Sequence, residues 1–412
     1  MKLKGFQKLT LTDQALKTWL KAWQTGKQKV AMVPLQDAVG RILAEDLVAK
    51  GSLPRFDRSA MDGYAVKAAD TAGASQNKPA IFEITEKQEI GAGQARQIWT
   101  GNFIPEGADA VVMVEETNRK NGKLEVWCQV TPFLNVAKIG EDIKAGALIA
   151  KAGTRLNPYH IGLAAAQGNS QLKVAEKPKI AILATGNELA EVGTPLTGNL
   201  IYDSNKIMIA SECKQLGAET IDFGLVQDNF DEIAAKIRDA LKGNDAVITT
   251  GGTSVGGLDL VPDAVNKLGK PGVVVHGVAL RPAMPTAVAV LEGKPVLILS
   301  GNPVASVIGF EVFGRVMVCR LLGMDKTENR PMMRAVLSRR VTSALGRKTY
   351  VRVHVALRGD EFVAEPISAK GSGAISTMTQ SNGFLVIDED REGVNEGETV
   401  LIHMFGSVEV DA

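Results

Sequence analysis

The sequence predicts a multidomain protein, with a central doubly wound parallel α/β domain flanked by small, mostly β domains. Three observations carry this. The chain has 412 residues, more than one hydrophobic core ordinarily organises. Between about 177 and 325, continuous apolar runs alternate with helical stretches, the pattern of a parallel sheet with helices on both faces. On either side of that block, short apolar runs are separated by turn residues, the texture of small β structure.

The elements follow in chain order. Leu16, Trp19, Leu20 and Trp23 recur at helical spacing, so residues 11–24 read as an amphipathic helix with its tryptophans packed inward. A short helix near 36–39 leads into RILAEDLVAK, read as a strand. From 46 to 129, the runs 80–84, 110–114 and 124–128 read as strands between the turns GAGQ, PEGAD and RKNGK. Residues 139–153 form a further glycine-punctuated β segment, and 160–167 a helical turn. In the central block, KIAILA at 179–184 is a strand ending in TGNE, and 205–216 is a helix stopped by Gly217. A strand at 220–223 and a helix at 231–241 follow. AVITT at 246–250 ends in GGTSVGG, and two strands flank the EGK turn at 292–294. The second of these ends in SGNP and enters a long helix reaching about 322. From about 330, the alternation in YVRVHVAL and recurrent turns mark a C-terminal β domain.

Lysine plus arginine number 47 against 46 acidic residues, a net charge of +1. That balance excludes a chain built throughout for nucleic acid or an anionic membrane, and leaves room for a local basic pocket. The first ten residues lack the apolar core of a signal peptide. No apolar run approaches the roughly 20 residues of a membrane helix. Cys128, Cys213 and Cys319 form neither a CxxC pair nor a zinc set, and read as thiols in a reducing compartment. The expectation is a cytoplasmic protein with neither nucleic acid nor membrane as partner.

Three loops of one kind follow apolar strands: Thr185–Glu188, Gly251–Asp259 and Ser300–Pro303. Beyond the carboxyl ends of parallel strands lies the usual ligand crevice. Glycines let backbone N–H groups approach an anion, and a following helix adds its positive end. The set therefore points to a phosphate-bearing ligand held by Thr185, Gly186, Gly251, Gly252, Ser254, Gly256, Ser300, Gly301 and Asn302. Neither GxGxxG nor GxxxxGK[ST] occurs, so neither a dinucleotide fold nor a P-loop is indicated. Glu188 and Asp259 end two of these loops, and Asp228 follows a strand in GLVQDN. Carboxylates beside phosphate loops suit Mg²⁺, with Glu188 and Asp259 as its candidate ligands. Asp228 has a competing reading as a helix cap, because DNFDE opens a helix. Arg281, in the proline-stiffened stretch ALRPAMPT, is a candidate anion clamp. Asp62 stands in PRFDRSAMDGYAV, in a turn before Gly63, where no regular helix or strand accommodates the mixture of residues.

Taken together, FDRSAMDGYAV, WTGNFIPEGADAVVMVEE, IGEDIKAGALIAKAGTRL, ILATGNEL, IYDSN, VITTGGTSVGGLD and SGNPVAS resemble the molybdopterin molybdotransferase family, the MoeA proteins and the C-terminal domain of gephyrin. The pieces lie in the family's order from about residue 30 to the end. The resemblance implies insertion of molybdate into adenylylated molybdopterin, with release of AMP, Mg²⁺ as cofactor, and a homodimer. It implies four domains: 1–45 with 140–176, elongated and dimerising; 46–139, β, carrying SAMDGYA; 177–325, α/β and molybdopterin-binding; and 330–412, β. It makes Asp62, Glu188, Asp228 and Asp259 the active-site acids, Asp62 being delivered to the α/β domain of the other subunit. Thr100 and Asp142 fall in motifs that line the same cleft, and Arg352 and Ser372 match positions at its oxyanion end. Met284 stands where the family often has lysine, and NVAKIG, with Lys138 its only base, where the family is often arginine-rich, which thins the positive charge of the pocket; Ser300 stands where it often has proline. Two other readings stay open: a molybdopterin adenylyltransferase, which would also be a candidate partner, and a gephyrin-like binding scaffold.

Overall fold

The structure, a computed structural model, describes residues 9–23, 26, 28–253, 259–324, 327–367 and 371–410. The chain divides into two compact units, one of residues 32–39 and 45–172 and one of residues 1–31, 40–44 and 173–412.

The second unit is built on a six-stranded sheet. Its elements are α1 (Thr12–Ala22), β1 (Lys179–Thr185), α2 (Asn205–Gln215), β2 (Glu219–Val226), α3 (Phe230–Leu241), β3 (Ala246–Thr250), α4 (Leu260–Leu268), β4 (Gly272–His276), β5 (Ala287–Leu291) and β6 (Lys294–Leu299). A last helix runs from α5 (Pro303–Gly309) through a π-helical turn at Phe310–Gly314 into α6 (Arg315–Leu321). The strand order is β2-β1-β3-β6-β5-β4. The first four strands are parallel, while β5 and β4 run antiparallel to their neighbours. The EGK turn explains the reversal. Glu292 and Gly293 have φ of 51° and 73°, the two left-handed residues of a tight hairpin, and a tight hairpin can join only antiparallel strands.

Both faces of the sheet are covered. Ile180 and Ile182 of β1 pack with residues of α1, α2 and α5, while Ala181 and Leu183 pack with α3 and α4. Burial on both faces is why these strands read as unbroken apolar runs. The sequence reading groups residues 1–45 with 140–176, yet α1 packs on this sheet. Trp19 is fully buried, and its indole N–H donates to the Ala289 carbonyl of β5 at 2.9 Å. Its ring lies 5.8 Å from Trp23 and 6.1 Å from Phe313.

The same unit holds a second body. Strands β7 (Met332–Leu337), β8 (Lys348–Arg358), β9 (Glu361–Pro366), β10 (Gly383–Ile387) and β11 (Thr399–Met404) pair in the circuit β8-β9-β7-β11-β10-β8. The C-terminal β domain is therefore a closed five-stranded barrel filled by Leu337, Val353, Val355, Leu385 and Ile402. The two-residue strand Leu280–Arg281 pairs in parallel with Lys348–Thr349 and joins the barrel to the α/β layer.

The other unit centres on a six-stranded sheet in the order Ala110–Met113, Gly63–Val66, Gln94–Ile98, Ala80–Ile84, Lys123–Val126, Thr117–Lys120. Tyr64, Val66, Phe82, Val112, Leu124 and Val126 fill its core. Arg58–Ser59 pairs with Val136–Ala137, and Leu47–Val48 with Leu148–Ala150. RILAEDLVAK thus contributes only a two-residue strand.

Candidate active site

The carboxyl ends of β1, β3 and β6 open into a cleft of about 740 Å³. Its wall is made by Thr185–Glu188, Gly251–Thr253 and Ser300–Pro303, with Asp228 beyond β2 and Gly373 from the barrel. The loop after β3 needs glycine because it lies hard against the loop after β1 and against α4. Gly251 (φ 88°) and Gly252 (φ 66°) are left-handed. A Cβ on Gly251 would collide with the Thr185 carbonyl, and one on Gly252 with Thr185 Oγ1 and Val261. The Gly251 N–H in turn donates to the Leu299 carbonyl of β6 at 3.1 Å.

Glu188 folds back over Gly186, where a Cβ would stand 2.8 Å from Oε1. Asp228 is placed by its neighbours. Asn229 caps α3, accepting from Asp231 and Glu232 N–H at 3.0 and 3.2 Å. The Asp228 N–H donates to Asn187 Oδ1 at 3.0 Å. Capping is done by Asn229, so the Asp228 carboxylate is left to the cleft. Two hydroxyls of the wall, Thr185 Oγ1 and Thr253 Oγ1, are buried with no hydrogen-bond partner among the described residues. Both stand beside the glycine loops of the cleft, within the same wall as Glu188 and Asp228.

Asp259 departs from its expected place. It is not part of the cleft wall. Its Oδ1 lies 4.0 Å from His276 Nε2, in a separate shallow pocket with Asp263 and Asn266. It precedes α4 without capping it. Burial pushes the His276 imidazole below its ordinary pKa, while Asp259 and Asp263 pull it the other way. Glu188 and Asp259 are therefore not seen as a metal-ligating pair, and the acid that shares the cleft with Glu188 is Asp228. Ser254 and Gly256 lie outside the described residues.

The barrel supplies further groups. The Ser372 carbonyl accepts from Val304 N–H at 3.0 Å at the start of α5, which brings Gly373 to the cleft. Arg352, on β8, is 8% exposed. Its Nε has no hydrogen-bond partner among the described residues, and burial lowers the pKa of its guanidinium. Arg281 is exposed on its short strand. Neither arginine is part of the cleft wall.

Asp62, Thr100 and Asp142 belong to the other unit. There, one oxygen of Asp62 accepts from both the N–H and the hydroxyl of Thr100, each at 2.7 Å. These bonds, the backbone one first, hold the exposed carboxyl below its ordinary pKa. Asp142 is exposed, its N–H bonded to the Leu53 carbonyl at 3.0 Å.

Sequence reasoning singles out IYDSN without assigning a residue in it. Asn205, buried at the start of α2, donates through Nδ2 to the Gly301 carbonyl at 2.7 Å. The signal was a polar trio at a helix start, which reads equally as capping.

Three family models match in order: the MoeA N-terminal region (domain I and II) over residues 10–168, a "probable molybdopterin binding domain" over 181–318, and the MoeA C-terminal region (domain IV) over 334–405. A protein of Methanocaldococcus jannaschii named for molybdopterin biosynthesis is 37% identical, covering 98% of this chain and 99% of its own length. The molybdopterin molybdenumtransferase of Bacillus subtilis is 35% identical, covering 90% of this chain and 88% of its own. The crystal structure of a molybdopterin biosynthesis MoeA protein from Pyrococcus horikoshii superposes with a TM-score of 0.83 at 31% identity, over 96% of this chain and all of that one. Matches of this extent, in this order, place the chain in the MoeA family.

Proposed function

We propose that this protein inserts molybdenum into adenylylated molybdopterin, releasing AMP and forming molybdenum cofactor. Its general character as a transferase of molybdenum cofactor biosynthesis follows from the family. The finer reaction rests on one observation: three glycine-bearing loops and two carboxylates, Glu188 and Asp228, converge on one cleft. Loop N–H groups and threonine hydroxyls bind the phosphates of the substrate, and Arg281 and Arg352 draw in the oxyanion. Asp62, delivered by a second subunit, completes the acidic set, while Asp259, beside His276, stands apart from it.

The cleft suits magnesium by the chemistry of its donors. Among the described residues no cluster of three or more His, Cys, Asp or Glu forms a ready-made metal cage. Magnesium takes one or two carboxylates and fills its shell with water and substrate phosphate, which is what Glu188 and Asp228 offer. When bound, it neutralises phosphate charge and eases departure of AMP.

The working form is a homodimer in the cytoplasm. Phe56, Met61, Trp99 and Phe103, in the segments around Asp62 and Thr100, are 49, 44, 53 and 52% exposed. Apolar exposure flanking a candidate acid suits a surface that meets another subunit. Among the described residues, no helix is long and apolar enough to cross a membrane.

Incubation with adenylylated molybdopterin, molybdate and Mg²⁺ tests the reaction. AMP release together with activation of a cofactor-free molybdoenzyme is expected. Formation of adenylylated pterin from molybdopterin and ATP, without its consumption, would instead assign the adenylyltransferase reaction.

A further inference from the structure

Of the segment IYDSN, only Ile201 reaches the cleft wall, and the other four residues need a different account. Asn205 begins α2, is 8% exposed, and donates to the Gly301 carbonyl at 2.7 Å. Its mount is fixed independently. Asp203 Oδ1 accepts from the Lys206 N–H at 3.1 Å. The Lys206 ammonium, itself buried, reaches Asp222 of β2 at 2.9 Å and Glu191 at 3.3 Å.

The geometry acts on the loop after β6. In a trans peptide the carbonyl and the following N–H point in opposite directions. Holding the Gly301 carbonyl toward α2 turns the Asn302 N–H away from α2, to Ser300 Oγ at 3.3 Å. On the far side, Val304 N–H is held by the Ser372 carbonyl at 3.0 Å. Glycine at 301 has no side chain to restrict its backbone, so the bond from Asn205 supplies the restriction.

We propose that Asn205 is a positioning residue for the reaction: it sets the Ser300–Asn302 loop in the shape that receives a substrate phosphate. The inference rests on the reading of the cleft as the site of the adenylylated pterin.

Asn205→Asp keeps the shape of the side chain and loses the donor, and Asn205→Ala removes both. Ile209→Val, on the same helix and buried in the core, serves as the control that loosens α2 without touching the loop. Amide hydrogen exchange of the segment 299–305 is measured without ligand, and AMP affinity by calorimetry with Mg²⁺. Both Asn205 variants should speed exchange at Asn302 and weaken AMP about tenfold, the loss of one hydrogen bond of about 1.4 kcal/mol. Ile209→Val should lower Tm and change neither. Unaltered exchange in a folded Asn205 variant, or equal effects in Ile209→Val, would overturn the proposal. Should wild type bind no AMP, the functional reading fails instead, and the exchange measurement still decides the role of Asn205. If Asn205→Asp does not fold, the alanine variant carries the test.

Discussion

Thr100 donates twice to a single oxygen of Asp62, through its backbone N–H and its hydroxyl, each at 2.7 Å. Both bonds favour the ionised carboxylate. Because the folded pKa is depressed, Asp62 stays charged to lower pH than an ordinary aspartate. Any stability this adds is present above the unfolded pKa and is lost as pH falls through the folded one. Thr100→Val removes the hydroxyl bond and keeps the backbone bond. The Asp62 pKa, followed by carboxyl NMR, should rise part of the way toward the ordinary value. The acid limb of the pH–rate profile should move up with it.

The glycines of the cleft are not equivalent. Gly252→Ala forces a side chain into a left-handed backbone and against Val261 and Thr185. We expect a loss of about 2–5 kcal/mol in urea unfolding, strain and overpacking together. A Cβ on Gly301 meets nothing closer than Gly251 Cα at 3.6 Å. Gly301→Ala should therefore fold within about 0.5 kcal/mol of wild type.

Glu188→Gln and Asp228→Asn each remove one charged oxygen donor from the cleft. The Mg²⁺ concentration for half-maximal AMP release should rise about tenfold in either variant, and further in the double variant. Asp259→Ala should leave Tm nearly unchanged, since Asp259 makes no capping hydrogen bond, and, with its carboxylate turned to His276 outside the cleft wall, should lower turnover far less than Glu188→Gln or Asp228→Asn. Abolished turnover in the folded variant would return Asp259 to the machinery.

Arg352 is a buried charge without an ion-pair partner among the described residues. Such a charge costs stability and is well suited to an incoming anion. Arg352→Met keeps the aliphatic stem. Its Tm should equal or exceed that of wild type, while molybdate affinity by calorimetry should fall about ten- to a hundredfold, the worth of a charge-assisted bond.

Much of this architecture was legible in the chain because local signals and tertiary demands coincide. The runs 180–184 and 246–248 are apolar because both faces of their strands are covered, and GGTS follows because Gly251 and Gly252 lie against Thr185 and Val261. Three things were not legible, each because its cause is remote in sequence. Helix α1 shows an apolar stripe but not the partner of that stripe, which is set by Trp19 meeting Ala289. Asp259 reads as a loop-end acid, and its turn toward His276 depends on β4 lying beside α4. The barrel closes through pairing of β8 with β10, and alternation within one strand carries no record of its neighbours.

The bond from Trp19 to Ala289 also orders events during synthesis. Domains fold largely as they leave the ribosome, amino end first. Helix α1 emerges early, yet the strand that receives it is made 270 positions later. Until then Trp19 and Trp23 have no interior to enter. The inward face of α1 is therefore completed only once β5 exists, so the helix and the far strand of the sheet consolidate together despite the distance between them in the chain.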